Sequence, residues 1–159
     1  MKKQKKLDKK RKLQKKTNYT KRLLLLRGNS PRLVVRKTNR YLIIQIVESK
    51  HAQDKVLYTV NTKDLLKHGW PKEKAGSLKN LSAAYLAGLL LGKKAKDIKQ
   101  QVILDSGLIP STKASRVYAA VKGVADSGIE IPHDEEILPS SESIEKPEFF
   151  NKIKEAVSK

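Results

Sequence analysis

The spacing of hydrophobic and polar residues changes at residue 17. Before it, MKKQKKLDKKRKLQKK has almost no apolar side chain to bury, so alone it is expected to be disordered or a frayed helix. After it, TNYTKRLLLLRG predicts a brief helix that begins at Thr17 or Asn18 and ends at Gly28. The positions of this helix that are expected to face a core are Leu23, Leu24 and Leu26.

Three β-rich runs follow this helix. RLVVRK and RYLIIQIVE flank Thr38 and Asn39, and they predict a hairpin because Asn tolerates the positive φ of a tight turn. KVLYTVN comes after a polar loop and predicts a third antiparallel strand, with Val56, Tyr58 and Val60 on one face. Next, NTKDLLKHGWPKEKAG predicts one helical turn and then a long polar loop.

The pattern then alternates helix, strand and helix. SLKNLSAAYLAGLLLGKKAKDI predicts the longest helix. Its apolar stripe runs through Leu81, Tyr85, Leu89 and Gly92 and is widened by Ala84, Gly88 and Leu91. QVILDSGL predicts a short strand buried on both faces, and SRVYAAVKGVADSG predicts a helix capped by Ser115 and stopped by Gly128. The predicted fold class is therefore α/β. A mixed sheet of three antiparallel strands plus one further strand carries two main helices, with basic N-terminal and acidic C-terminal extensions.

Charge is spread unevenly along the chain. The 35 Lys plus Arg outnumber the 16 Asp plus Glu, for a net charge of +19. Residues 1–27 carry +12, residues 28–129 carry +11, and residues 130–159 carry −4. Because basic side chains release counterions when they bind closely spaced phosphates, such an arm and body should bind nucleic acid in a salt-sensitive way. A lysine run can also serve only as a solubilising or localisation tail.

Composition excludes several other classes. Apolar runs are only a few residues long, so no membrane-spanning helix is expected, and the basic N-terminus lacks the apolar region of a secretory signal. The chain has no cysteine, which excludes disulfides, thiolate zinc sites and cysteine nucleophiles and fits a reducing, cytosolic setting. Aromatic residues make up 5% and are scattered, which favours a folded RNA read by backbone and shape over a stacked single strand.

Several blocks carry a resemblance. PRLVVRKTNRYLIIQI, LLKHGW, AAYLAGLLLGKKA and ILDSGLIPSTKASRVYAAVKGVADSGIEIPH follow NYTKRLLLL in this order, from about Thr17 to about Pro139. Together they resemble the archaeal and eukaryotic branch of the universal large-subunit ribosomal protein eighteen family. The chain departs from the family's usual pattern in having mostly lysines in the arm and Ala114 where a glycine often stands.

The resemblance implies a mixed α/β fold and a structural role in the large ribosomal subunit, in the cytoplasm. It implies that the protein binds 5S rRNA and attaches it to the large-subunit rRNA in the central protuberance, beside neighbouring large-subunit ribosomal proteins. No cofactor, membrane or small-molecule substrate is expected. On this interpretation residues 1–17 are a basic RNA-binding arm, residues 18–132 an α/β RNA-binding core, and residues 133–159 an acidic tail with a short amphipathic helix.

The candidate RNA contacts are basic or polar residues of the arm, the first helix, the hairpin and the start of the last core helix. Cations at a helix start oppose the helix dipole, which a bound phosphate would explain at the last of these places. The set comprises Lys9, Lys10, Arg11, Lys12, Lys15, Lys16, Tyr19, Lys21, Arg22, Arg32, Arg36, Lys37, Asn39, Arg40, Lys113 and Arg116.

Enzyme alternatives have little support in the sequence. The three histidines are isolated, and neither GxxxxGK[ST] nor GxGxxG occurs. A metal-dependent nuclease would need converging strand-end acids, and Asp105 is the only acid well placed. A non-specific RNA chaperone is the remaining alternative, and no metal site or catalytic residue is predicted.

The tail carries a separate hypothesis. In PEFFNKIKEAVSK, Pro147 can occupy the first turn of a short helix on which Phe149, Ile153 and Val157 recur at intervals of four. This stripe is predicted to dock on a neighbouring ribosomal protein or back on the chain's own body. The alternative is a disordered acidic tail.

Overall fold

A four-stranded mixed sheet carries the fold, as the hydrophobic pattern predicts. The computed structural model describes residues 7–51 and 53–158. The sheet order is β3-β2-β1-β4, in which β1 pairs antiparallel with β2 and parallel with β4, and β2 pairs antiparallel with β3. The strands are β1 (Arg32–Lys37), β2 (Leu42–Lys50), β3 (Gln53–Asn61) and β4 (Ile103–Asp105). This confirms the predicted fold class.

Helices flank the sheet and both extensions contain short ones. They are α1 (Lys10–Leu13), α2 (Tyr19–Arg27), α3 (Leu81–Lys94), α4 (Arg116–Asp126), α5 (Ser141–Glu145) and α6 (Phe150–Ser158). A 3₁₀ segment, Thr62–His68, lies where one helical turn is predicted, and a second, Lys72–Ser77, lies within the predicted polar loop. No helix in the described part of the chain is long and apolar enough to cross a membrane.

The long helix α3 is the centre of the core. Asn80 caps it by accepting a hydrogen bond from the Ala83 N–H at 2.7 Å. Helix α4 packs against α3 at very short range, since a Cβ at Gly88 or at Gly123 would overlap a backbone carbonyl of the facing helix. Helix α3 is buried on nearly every side, whereas the predicted stripe residues Leu81 and Leu89 are only half-buried. The prediction of a single buried stripe is therefore wrong, because the sheet, α4 and α6 all cover α3.

Two predicted strand details are wrong. The alternation in β3 breaks at a bulge, since Ile46 pairs with Tyr58 but Val47 pairs with Val56, and Val56 is 48% exposed. β4 is an outer strand, so Ile103 and Leu104 are half-buried rather than buried on both faces.

The hairpin forms as predicted but its turn has a different basis. Asn39 does not adopt positive φ. Instead the Thr38 N–H donates to the Tyr41 carbonyl at 2.9 Å, and the Tyr41 N–H donates to Thr38 Oγ1 at 3.0 Å. A four-residue loop closed by a threonine hydroxyl therefore replaces the expected asparagine turn.

Helix α2 has its predicted cap but a different orientation. Asn18 Oδ1 accepts from the Lys21 N–H at 3.1 Å, and Gly28 is the C-terminal cap. Leu23 and Leu24 are 54% and 60% exposed, so the prediction that they face a core is wrong. The helix lies on the outside of the sheet and is held there partly by an ion pair, so it needs only a narrow apolar contact.

The tail folds back on the chain's own body, which is one of the two docking alternatives. Helix α6 begins at Phe150, three residues after Pro147, so Pro147 does not occupy its first turn. Phe150, Ile153 and Val157 are buried against the core, and Phe149 is half-buried with its ring 5.0 Å from that of Trp70. The apolar stripe thus starts one residue later than predicted, and a disordered tail is not what the structure shows.

Ala114 adopts the left-handed conformation, with φ of 54°. A glycine relieves the steric cost of that conformation, which is about 1–2 kcal/mol, but loses about 0.4–1 kcal/mol through greater freedom in the unfolded chain. We expect Ala114→Gly to raise the free energy of unfolding by about 0.5–1 kcal/mol, measured by urea denaturation. Thr112→Gly, in the same exposed loop at ordinary φ, is the control and should lower it; a loss of stability in both variants would contradict the prediction.

Candidate nucleic-acid interface

A basic groove opens between the start of α2, the end of β1 and the loop that follows β4. It encloses about 500 Å³. Within the described residues, Asp105 is the only acid in its lining. Six of the predicted RNA contacts meet here: Arg11, Lys16, Lys21, Arg22, Arg36 and Lys37. We call this set and its cleft the basic groove.

The far wall of the basic groove is the loop 106–110, which sequence reasoning missed. Gly107 has φ of 64°, and its N–H donates to Asp105 Oδ1 at 2.9 Å. A Cβ there would lie 3.0 Å from the Arg36 guanidinium, so both the backbone conformation and the space favour glycine. Lys21 Nζ reaches this wall at 3.3 Å from Ser106 Oγ. The sequence signal for this wall is the Asp-Ser-Gly turn inside QVILDSGL, the block that predicts a strand.

Arg32 lies beneath the basic groove, and its assignment as an RNA contact is wrong. Its side chain is 2% exposed. One terminal nitrogen donates to Asp105 Oδ2 at 2.8 Å, and the other donates to Asp54 Oδ1 and Ser49 Oγ at 2.8 Å each. The charge of Arg32 predicts an exposed side chain, but strand β1 is covered on both faces at its start.

The two carboxylates bound by Arg32 each also bind a second arginine, and this second arginine lines the basic groove. Asp105 Oδ1 accepts from Arg36 at 3.1 Å, and Asp54 Oδ2 accepts from Arg22 at 2.9 Å. Burial raises the pKa of Asp54, but the hydrogen bonds from Ser49 and Arg22 together with the charges of both arginines outweigh it and leave the pKa below its usual value. Asp54 is therefore held ionised in the folded protein.

The arm begins beside the basic groove, and six of its predicted contacts can be placed. Lys9 Nζ lies 4.6 Å from the centre of the Tyr19 ring, and Arg11 Nε donates to Thr17 Oγ1 at 2.9 Å. Lys12 pairs with Asp8 at 2.7 Å. Residues 1–6 of the predicted arm lie outside the described residues. The arm residues outside the groove lining are Lys9, Lys10, Lys12 and Lys15, all exposed, with the half-exposed Tyr19 beside them.

The remaining predicted contacts lie outside the lining of the basic groove, and one of them, Arg116, lines a second cleft. The backbone carbonyl of Asn39, beside Arg40 at the hairpin tip, accepts from Lys79 Nζ at 3.0 Å. Lys79 and Arg116 line a cleft of about 570 Å³ together with Lys146. Lys113 is exposed and pairs loosely with Glu136 at 3.4 Å. Lys79 and Lys146 were missed because each is isolated in the sequence; only the fold brings them beside Arg116.

The described residues form no metal site, and they cover the predicted partner-binding stripe. Among residues 7–51 and 53–158, no three histidines or acids gather as a metal site would require. Asp105, the one acid suited to a nuclease, is bound by two arginines. The predicted partner-binding residues Ile153 and Val157 are buried in this chain, and Phe149 contacts Trp70. In this conformation the stripe is not available to another protein.

A mixed α/β fold with a groove of lysines and arginines is typical of proteins that bind structured RNA, and comparison with known sequences identifies which of these it resembles. Residues 3–101 and 93–134 match the family described as "Ribosomal large subunit proteins 60S L5, and 50S L18". The chain belongs to this family of large-subunit ribosomal proteins. This confirms the family resemblance seen in the sequence.

Three relatives named "Large ribosomal subunit protein uL18" show how much of the chain is shared. That of Korarchaeum cryptofilum is 50% identical over 130 residues, which cover 81% of this chain and 65% of the relative. Those of Methanoregula boonei and Methanospirillum hungatei are 44% and 45% identical over 129 and 127 residues. These matches cover 80% and 79% of this chain, and 72% and 70% of the relatives. The chain thus spans just under two thirds of the first relative.

The lowered pKa of Asp54 predicts a specific loss of stability in acid. Because the folded pKa lies below the unfolded value of 3.8, the stabilisation is complete above that pH and disappears as pH falls through the folded pKa. Asp54→Asn should therefore be less stable than wild type at pH 7, and the gap should narrow below pH 3.8. Denaturant titrations across this range measure it, with Glu73→Gln, an exposed carboxylate, as control. A gap that is independent of pH would contradict the assignment.

Proposed function

We propose that the protein binds 5S rRNA through the basic groove and the arm, and attaches that RNA to the large-subunit rRNA in the central protuberance. The observation that carries the proposal is the convergence of six cations from the arm, α2 and β1 on one cleft. Asp105 is the only acid in the lining within the described chain, and it is paired with arginine. Such a surface presents several donors to neighbouring phosphates of a folded RNA.

The arm extends this interface. Helix α1 is a single turn with no buried residue, so nothing in the core holds it in place. Short helices with dense like charge are marginal in water, and a polyanion would order this one. Residues 1–17 would therefore supply charge along the RNA, while the core (residues 18–132) supplies the shape that selects it.

Neighbouring large-subunit ribosomal proteins remain expected partners. The stripe of α6 is covered in this chain, so a neighbour would meet the tail through its outer face. The tail exposes Glu142, Glu145, Glu148 and Glu155, and residues 130–159 carry a net charge of −4. A basic partner surface suits it, and the large-subunit rRNA does not.

A non-specific RNA chaperone is the competing function, because a net charge of +19 alone binds any RNA. Selectivity separates the two. We expect full-length protein to bind 5S rRNA more tightly than a size-matched folded RNA in filter-binding titrations, and to keep that preference as salt rises. A truncated chain that begins at Asn18 should keep the preference with a flatter salt dependence. Equal binding that collapses in parallel for both RNAs would contradict the proposal.

A matched pair of variants tests the groove itself. Lys21→Gln/Lys37→Gln removes two groove charges, whereas Lys99→Gln/Lys152→Gln removes two exposed charges elsewhere. The groove variant should lower the slope of log affinity against log salt by about two, roughly one per phosphate contact, and the control should not. The same slope in both variants would show that the groove is not the interface.

A further inference from the structure

We propose that Arg32, which cannot touch RNA, is a positioning residue of the basic groove that keeps Arg22 and Arg36 available to phosphate. This rests on the proposed function, since it concerns how the same groove binds RNA. Arg32 would do so by neutralising Asp54 and Asp105, the two acids that hold the groove arginines.

The geometry places Arg32 at the centre of an alternating chain of charges. From one end to the other the order is Arg22, Asp54, Arg32, Asp105 and Arg36. The four ion pairs measure 2.9, 2.8, 2.8 and 3.1 Å. Each carboxylate gives one oxygen to buried Arg32 and its other oxygen to a groove arginine. Neither acid depends on its groove arginine alone.

The balance of charge in this cluster follows directly. Three guanidiniums and two carboxylates give the cluster a net charge of +1. Because Arg32 itself is buried, the excess positive charge is exposed at the groove. Without Arg32 the same cluster is neutral, and each groove arginine becomes the only positively charged partner of a carboxylate in the cluster. Coulombic attraction strengthens as water is excluded, so these arginines would then be withdrawn from phosphate.

The cluster also fixes the direction of the groove arginines. Arg36 donates to the Asp105 carbonyl at 2.8 Å and to the Val35 carbonyl at 3.0 Å, in addition to the carboxylate. Its side chain is nevertheless 42% exposed, and that of Arg22 is 34% exposed. Both therefore keep part of the guanidinium facing the cleft while their orientation is fixed from below. Preorganised donors lose less freedom when they bind phosphate.

The sheet explains why an arginine is required at this position. Leu33 and Val35 of β1 face the helical core, so Arg32 and Arg36 share the opposite face. Asp105 lies on the parallel neighbour β4, and Ser49 and Asp54 lie at the far end of the β2–β3 pair. A forked side chain with several donors can reach both sides at once, and a lysine cannot.

Rescue of a lost charge separates positioning from mere support of the fold. Arg32→Met makes the cluster neutral, and Arg32→Met/Asp105→Asn restores its net charge of +1. We expect Arg32→Met to weaken 5S rRNA binding by roughly three- to tenfold and to lower the salt slope by about one, and the double variant to recover most of that slope. Lys99→Met removes the same charge from an exposed position and is the control.

The fold of each variant is checked by far-ultraviolet circular dichroism and thermal melting before binding is measured. A folded Arg32→Met that binds like the control, or a double variant whose slope stays low, would overturn the proposal. If Arg32→Met does not fold, Asp54→Asn is the deciding variant, because it raises the net charge of the cluster to +2. The affinity for 5S rRNA should then rise and the salt slope should steepen. Weaker binding with a flatter salt slope would overturn the proposal.

The two proposals fail in different ways. If wild-type protein shows no preference for 5S rRNA, the proposed function fails, but the slope change caused by Arg32→Met can still be measured with either RNA. If the preference holds and Arg32→Met leaves the slope unchanged, only the role of Arg32 fails.

Discussion

A buried guanidinium shared between two carboxylates joins the parts of the chain that form the basic groove. Arg32 comes from β1, Asp105 from the end of β4, and Ser49 and Asp54 from the β2–β3 hairpin. Asp54 in turn holds α2 through Arg22. Buried ion pairs rarely add stability over a well-packed apolar core, so their presence calls for another reason. Here the reason is position, because these contacts hold distant segments in one arrangement at the surface.

The opposite face of the sheet supplies the rigidity that this arrangement needs. Helices α3 and α4 approach closely through Gly88 and Gly123, and the tail covers the remaining side of α3 with Phe150 and Ile153. Ser82 Oγ donates to the Ile144 carbonyl at 2.5 Å, which anchors the tail at the start of α3. The apolar half of the molecule is thus closed on itself, and the basic groove lies on the open, charged half.

Local patterns predicted much of the fold. The strand and helix periods identified all four strands and the two main helices, because their apolar residues recur at regular spacings. They failed where a distant partner decides the outcome. The apolar spacing predicts Leu23 as a core residue, but α2 lies outside the sheet and Leu23 is exposed. The strand alternation in β3 is interrupted by a bulge, which leaves Val56 exposed. Net charge pointed to RNA, yet it could not show that Arg32 is buried, because its two partners lie 22 and 73 residues away.

Folded RNA is proposed to lie in the basic groove, and lysine footprinting of the complex is the most direct measurement of this. Full-length protein with and without 5S rRNA is treated with an amine-reactive reagent, and modified peptides are quantified by mass spectrometry. The account predicts protection of Lys16, Lys21 and Lys37, while the exposed Lys99 and Lys152 stay reactive. Unchanged reactivity of the three groove lysines, in a complex that has formed, would contradict it.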